Sequence, residues 1–312
     1  MLPTVTLLGA AALTERWFEI RDMKRLAGSE TFVSLGDASV RYKFIGREQP
    51  SVPVVLLTGL AGSIEQWEVV QARLAQFAPV LAYDRAGSGF SQGSRAHDAA
   101  QQADELASLL TELRIDRRIV LVGYSMSASL ARVFVSRYRE KVSGIVLVAP
   151  YMPELEGRTL DRQRPPRAYA RWLLHETTTT LFGLKRFASA FTKGVGSSGY
   201  SASVENRATG VLLRFGHWWA VDREVLADAA TASQVLSAGG LESLPLILVS
   251  DNTSSLGDHG RVMDDVDGTF VARSSRGTLR HLPPADHGML LNDPAQYKFL
   301  IAAIQDVASM AR

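Results

Sequence analysis

Cysteine is absent from this 312-residue chain. Disulfides, thiolate metal centres and cysteine nucleophiles are therefore excluded, and the compartment stays open because such a chain suits either redox environment. Excess charge is lacking too. The net charge is +2, charged residues make up 21%, and no Lys/Arg block stands out, so the footprint of a nucleic-acid binder is missing. His175, His217 and His259 show no ligand spacing, which argues against a metal site. The glycine-rich stretch Asp84 to Ser91 lacks both the P-loop Lys-Ser/Thr and the spacing G-x-G-x-x-G, so phosphate and dinucleotide binding are not expected. There is no internal repeat or low-complexity tract. No nucleic-acid partner, cofactor or metal is expected.

What the chain does have is apolar material: 46% of its residues are hydrophobic, enough for one large α/β core or two modest domains. Its organising stretch is Ile119 to Val135, IVLVGYSMSASLARVFV. Ile119 to Val122 is a short β-branched run that reads as a buried strand. Leu130, Val133 and Phe134 then recur at helical spacing. Between them lies Gly123-Tyr124-Ser125-Met126-Ser127, a strand–turn–helix with a serine at its apex, which is the context of a G-x-S-x-G elbow. The second glycine is replaced by Ser127, small enough for the turn to survive.

Around this stretch the chain alternates strands and helices. A hairpin is expected over Thr31 to Ile45, turning at Gly36-Asp37. Pro53 to Leu57 is a continuous apolar strand, hence buried on both faces. Ser63 and Gln66 read as a capping box opening a helix with Trp67, Val70 and Leu74 on one face. Further strands are expected at Val80 to Tyr83, Val142 to Val148, Pro245 to Val249 and Thr278 to Leu282, with helices over Ala99 to Leu113 and Tyr297 to Val307. From 151 to 240 the strand signals stop, and aromatic helical segments take over: Tyr169, Trp172, Leu173, Leu181, Phe182, Phe187 and Phe191, a Gly/Ser patch at Gly194 to Ser201, then Leu213, Phe215, Trp218 and Trp219. The expected fold class is α/β, a mostly parallel sheet flanked by helices. The expected domains are an N-terminal helical extension over 1–29, a core over 30–150 and 241–312, and a helical cap over 151–240.

Val5 to Leu13, VTLLGAAAL, is far too short to span a bilayer, which takes about 20 residues, and no basic residue precedes it as in a signal peptide. A helix packed on the body, with Trp17, Phe18 and Ile20 continuing its apolar face, is the first reading. An interfacial helix making peripheral membrane contact, or the tail of a membrane anchor, is the alternative. The expected location is cytoplasmic, with membrane association as the other possibility.

Four ordered blocks resemble the α/β-hydrolase superfamily, in its serine esterase-like branch: VVLLTGLAGSIEQW (Val54 to Trp67), AYDRAGSGFS (Ala82 to Ser91), IVLVGYSMS (Ile119 to Ser127) and PPADHGMLLNDPAQ (Pro283 to Gln296). The resemblance spans about 30–150 and 240–312. It implies the α/β-hydrolase fold, with Ser125 as nucleophile, His287 as base, and the backbone N–H groups of Leu60 and Met126 as oxyanion donors. Thr58 stands where the family has histidine, and a backbone donor does not depend on that side chain. The loop at Asp84-Arg85 and Gly87-Ser88-Gly89 is implied to brace the site's floor, and His217-Trp218-Trp219 reads as packing.

The third member of the triad is less plainly marked. Counted from Pro245, the family's acid falls at Thr253 or Ser254, neither acidic. Asp251, at the strand's end, is the choice because the sheet positions it; Asp258 in the following loop and Glu154 after the preceding strand are the alternatives. The activity implied is serine hydrolysis of an ester or related acyl bond of a small, mainly apolar substrate through an acyl-enzyme. Relatives on this scaffold also open lactones and cleave C–C or peptide bonds. Epoxide and haloalkane relatives carry aspartate, not serine, at the elbow. The alternative is a ligand-binding module with little or no turnover. Oligomeric state is not legible.

Overall fold

The computed structural model describes residues 2–93, 97–155, 166–190, 200–239, 241–251, 257–283, 287 and 290–311, with backbone alone at 2–5, 166–170 and 257–259. Tyr169, Phe191, Thr253, Ser254, Asp258 and His259, and most of the Gly/Ser patch, lie outside the described side chains.

Eight strands form one sheet: β1 (Thr31–Leu35), β2 (Ala38–Ile45), β3 (Val54–Leu57), β4 (Val80–Tyr83), β5 (Ile119–Tyr124), β6 (Val142–Val148), β7 (Leu246–Ser250) and β8 (Gly277–His281). Their order is β1-β2-β4-β3-β5-β6-β7-β8. The β1–β2 hairpin and the β2–β4 contact are antiparallel; every later pair is parallel. Strands β3 to β7 are buried along their whole length, because helices cover both faces.

Alternation along each strand divides the core in two. Val55, Leu57, Leu121, Ile145, Leu147 and Leu248 face one way, onto Leu106 and Leu110 of α3 (Ala99–Glu112), Phe134 of α4 (Ser127–Arg137) and Phe270 of α10 (Gly257–Val271). Val54, Leu56, Val122, Val146 and Ile247 face the other, onto Trp67, Leu74 of α2 (Glu68–Leu74) and Leu300, Ile304 and Val307 of α11 (Pro294–Met310). Each such aliphatic side chain contributes roughly 1.5–3 kcal/mol on burial, so a one-residue slip in register would forfeit both clusters at once.

One local expectation fails. Ser63 precedes a short 3₁₀ turn, Ile64–Trp67, and makes no capping bond. Its hydroxyl instead donates to Glu65 at 2.6 Å, since that buried carboxylate, also paired with Arg41, outbids a backbone amide. The Ile64 N–H goes to Asp84.

Between β6 and β7 the described residues are helical: α5 (Pro166–Leu181), α6 (Leu184–Ser189), α7 (Ala202–Leu212), α8 (Phe215–Leu226) and α9 (Asp228–Ser237). Helix α9 lies on α3 and α4, with Val235 in the first core cluster. Leu173, Trp218 and Val221, from α5 and α8, form a separate cluster against Leu60, Ala61 and Trp172. The N-terminal helix α1 (Leu2–Ala27) packs on α5 and α7. Its last turns do so with Met23, Leu26 and Ala27 against Val211 and Phe90, but its middle turns use acids, not the apolar face expected from sequence: Glu15, Glu19 and Asp22 are buried while Trp17 and Ile20 are exposed. The surface it meets presents Arg186 and Arg214, which pair with those acids.

Candidate active site

The parallel strands β3, β5, β7 and β8 end on the same edge of the sheet, and the candidate site is assembled from the loops that leave them. At the end of β5 the chain turns into α4 through Ser125, whose φ is +53°, a left-handed conformation that costs a non-glycine residue about 1–3 kcal/mol. Surrounding bonds hold it there. The Ser125 N–H donates to Val148 O at 2.9 Å, and Ser125 O accepts from Tyr151 N at 3.1 Å and Ala128 N at 3.1 Å. Gly123 has no room for a side chain: a Cβ there would meet Ser127 O at 2.9 Å.

Ser127, in place of the second glycine, strengthens the turn. Its hydroxyl accepts from Tyr124 N at 2.9 Å and lies 3.0 Å from Leu57 O as a donor. It thereby ties the elbow to the end of β3, where the Thr58-Gly59-Leu60 loop begins.

Ser125, His287 and Asp251 meet. His287 Nε2 lies 3.1 Å from Ser125 Oγ, and Nδ1 lies 2.6 Å from Asp251 Oδ2. A carboxylate on Nδ1 selects the tautomer protonated there, leaving the Nε2 lone pair facing the serine hydroxyl. Asp251 directly follows β7, so the sheet sets its position. Glu154 is bound elsewhere, paired with Arg132 at 3.0 and 2.5 Å. Thr253, Ser254 and Asp258 lie outside the described side chains.

Two supports of this relay carry no motif. Tyr124 stacks on the His287 ring at 5.2 Å between centroids and 21° between planes, and its hydroxyl donates to His287 O at 2.5 Å. Behind Asp251, the Ser250 hydroxyl donates to Asp267 at 2.8 Å. Burial, and then the nearby Asp264 and Asp251, push Asp267 up to about 6.

The loop after β3 lies against the elbow, with Tyr124 so near Gly59 that a Cβ there would be 3.2 Å from its ring. Among the described residues, neither the Leu60 nor the Met126 N–H has an acceptor. Arg85 holds this loop from beneath. Its guanidinium donates to Thr58 O at 2.7 Å, Thr58 Oγ1 at 3.1 Å and Gly59 O at 3.3 Å. Gly59 O belongs to the same peptide group as the Leu60 N–H. Arg85 is itself held by both oxygens of Glu224, from α8, at 2.8 and 2.9 Å. Burial opposes the charge on Arg85, but Glu224 overrides it and raises the guanidinium's pKa. Sequence reading assigns Arg85 a bracing role; Glu224, 139 residues away, has no local signal at all.

His217 is buried, and its Nδ1 accepts from Gly89 N at 3.1 Å. Burial, then Arg214 and Lys185, push it down to about 3, so it is a neutral packing group. Among the described residues no cluster of His, Asp and Glu is arranged to hold a metal.

Residues 52–183 match the family model described as the alpha/beta hydrolase fold. The chain has the alpha/beta hydrolase fold. Solved structures share this architecture: Cfl2 from Burkholderia cenocepacia superposes with a TM-score of 0.68 at 22% identity, covering 89% of this chain and 94% of that one. A Pseudomonas aeruginosa protein described as a probable hydrolytic enzyme gives 0.63 at 18%, covering 88% and 93%. At such identities the likeness concerns the fold.

Among curated sequences, this hydrolase-fold chain is 34% identical to RutD of Pantoea ananatis, named for a proposed carbamate hydrolase activity, over 34% of the chain and 40% of the relative. It is 27% identical to ABHD5 of Rattus norvegicus, named a 1-acylglycerol-3-phosphate O-acyltransferase, over 45% of the chain and 41% of the relative. The matches thus span about two-fifths of these relatives' lengths.

Proposed function

We propose that this protein is a serine hydrolase that cleaves an ester or related acyl bond of a small, mainly apolar substrate through an acyl-enzyme. The observation that carries this reading is the continuous relay from Asp251 through His287 to Ser125, with bonds of 2.6 and 3.1 Å. A module that only held a ligand would gain nothing from an imidazole bonded on both sides.

In the proposed reaction Ser125 Oγ attacks the substrate carbonyl carbon and its proton passes to His287 Nε2, while Asp251 stabilises the imidazolium. The carbonyl oxygen becomes an oxyanion, for which the unpaired N–H groups of Leu60 and Met126 are the donors. Collapse expels the alcohol, which takes the proton from Nε2 and leaves the acyl group on Ser125. Water, deprotonated by the same nitrogen, then releases the acid and restores the serine. No step calls for a cofactor. The apolar preference follows from the cap cluster of Leu173, Trp218 and Val221, which rests on Leu60 and Ala61. The names of RutD and ABHD5 both concern transfers at a carbonyl, which supports acyl chemistry.

The test is labelling of the full chain with a fluorophosphonate probe, peptide mapping of the adduct, and turnover on a panel of p-nitrophenyl esters of increasing chain length. The adduct is expected on Ser125, and Ser125→Ala should lose both label and turnover with an unchanged melting temperature. Full esterase activity in Ser125→Ala would overturn the assignment.

A further inference from the structure

Through its middle turns, ahead of Met23, Leu26 and Ala27, which pack on Phe90 and Val211, helix α1 is turned inside out relative to an ordinary surface helix. Glu15, Glu19 and Asp22 follow one another at i, i+4 and i+7, and so do Leu13, Trp17 and Ile20. The two stripes are offset by two residues, which at 3.6 residues per turn sets them about 200° apart, on opposite faces. The acidic stripe is the buried one, at 3–4% exposure. The apolar stripe is in solvent: Leu13 is 74% exposed, Trp17 59% and Ile20 45%. Leu7 and Leu8, one to two turns earlier, are exposed as well.

The charges are sorted in the same sense. Arg186 of α6 pairs with Glu15 and Asp22 at 2.6 and 2.5 Å, and Arg214 pairs with Glu19 at 3.4 Å. The helix's own cations, Arg16, Arg21, Lys24 and Arg25, all lie at its exposed surface. Arg16 and Arg21 fall on either side of the apolar stripe, and Arg21 lies over the Trp17 and Phe18 rings. Arg16 also reaches Glu19, and Arg21 and Arg25 reach Asp22, at 2.9, 3.0 and 3.6 Å, so three acids are shared among five cations and the outward side is positive as well as apolar. Helix α6, held against α1 by Arg186, exposes Leu184 and Phe187 beside it.

An apolar stripe with a tryptophan and flanking arginines is what lets a helix lie in the headgroup plane of a bilayer, its apolar residues among the acyl chains and its cations among anionic headgroups. A surface that had to stay in water would hide Leu13, Trp17 and Ile20 and expose the three acids. Among the described residues no helix is long and apolar enough to cross a membrane. We infer that α1 is an interfacial docking helix that seats the protein on an anionic lipid surface through Leu13, Trp17 and Ile20. The inference is independent of the chemistry proposed for Ser125.

The experiment is co-sedimentation of the full chain with vesicles of phosphatidylcholine alone and of equimolar phosphatidylcholine and phosphatidylglycerol, at low and high salt. Binding to the mixed vesicles is expected, weaker on the neutral ones and weakened by salt. Leu13→Glu and Trp17→Glu should each weaken it at least about tenfold, the loss that follows from withdrawing one large apolar side chain from the acyl region. Both positions are exposed, so the melting temperature should not move. Sedimentation velocity without vesicles accompanies each variant. Absence of vesicle binding, or binding indifferent to both substitutions, would overturn the inference. So would a concentration-dependent dimer abolished by the same substitutions in a chain that ignores vesicles, because the occupant would then be a second copy.

Discussion

Arg85 and Glu224 join helix α8 to the loop that carries the Leu60 N–H, and removing the carboxylate should disturb both stability and rate, by separable amounts. Arg85 is 4% exposed and Glu224 9%. In Glu224→Ala the guanidinium keeps its bonds to Thr58 and Gly59 but loses its counter-charge. Leaving a buried charge unpaired costs about 3–5 kcal/mol. For a chain of 312 residues that corresponds to a fall of about 5–8 °C in Tm. The effect on rate follows from the peptide between Gly59 and Leu60. Deleting an oxyanion donor outright lowers kcat by about 10²–10³. Here the donor proposed above remains and only its orientation loosens, so a fall of roughly 10-fold in kcat with little change in KM is expected. The double variant Arg85→Met/Glu224→Met separates the two effects. Packing two apolar chains where the pair stood should restore most of the stability, yet leaves nothing to hold the Gly59 carbonyl, so kcat should stay low. Thermal melts and ester kinetics on the wild type, Arg85→Met, Glu224→Met and the double variant form a full cycle, with Glu224→Ala measured beside it. Wild-type kcat in the double variant would refute the reasoning, since Arg85 would then brace the fold without orienting the donor.

Two further outcomes follow from the same geometry. Asp251→Asn keeps the side chain's shape but removes the charge that holds the Nδ1–H tautomer, so kcat should fall by about 10⁴ with KM nearly unchanged; a drop below tenfold would mean that His287 does not depend on this carboxylate. Glu105, whose carboxylate accepts from Ala86 N at 3.0 Å, is pushed up by burial from 4.5 to about 7. A raised carboxyl pKa means the folded state binds the proton more tightly, so its stabilising contribution is present below about pH 4.5 and lost as pH rises through 7. Glu105→Gln keeps the acceptor without titrating, and should gain on the wild type by about 3 kcal/mol between pH 4.5 and 8; a constant gap across urea melts at those two values would show that Glu105 does not titrate there.

What the residues determine by themselves is whatever local periodicity encodes. The apolar runs at Val54–Leu57 and Ile119–Tyr124 announce strands buried on both faces, since no polar residue alternates within most of their length. The elbow is legible because strand, turn and helix are contiguous, although Val148 and Tyr151 help to hold Ser125 from the end of the next strand. His287 is legible from its place in an ordered set of blocks. The acid is not, because its choice depends on which carboxylate meets an imidazole 36 residues away at the sheet edge. In one dimension Asp251 is favoured by its place at the strand's end, but Asp258 and Glu154 stay open. Three dimensions separate Asp251 from Glu154, because Arg132 holds Glu154 and leaves Asp251 to His287. Glu224 and Tyr124 escape for the same reason: a contact across the fold leaves no trace in the spacing of neighbours. In α1 the period does reveal two stripes, and the ordinary rule for burial chooses the wrong one. Which face turns inward was decided by the partner surface, where Arg186 and Arg214 needed carboxylates, and burying charge without a partner costs more than leaving leucine and tryptophan in water.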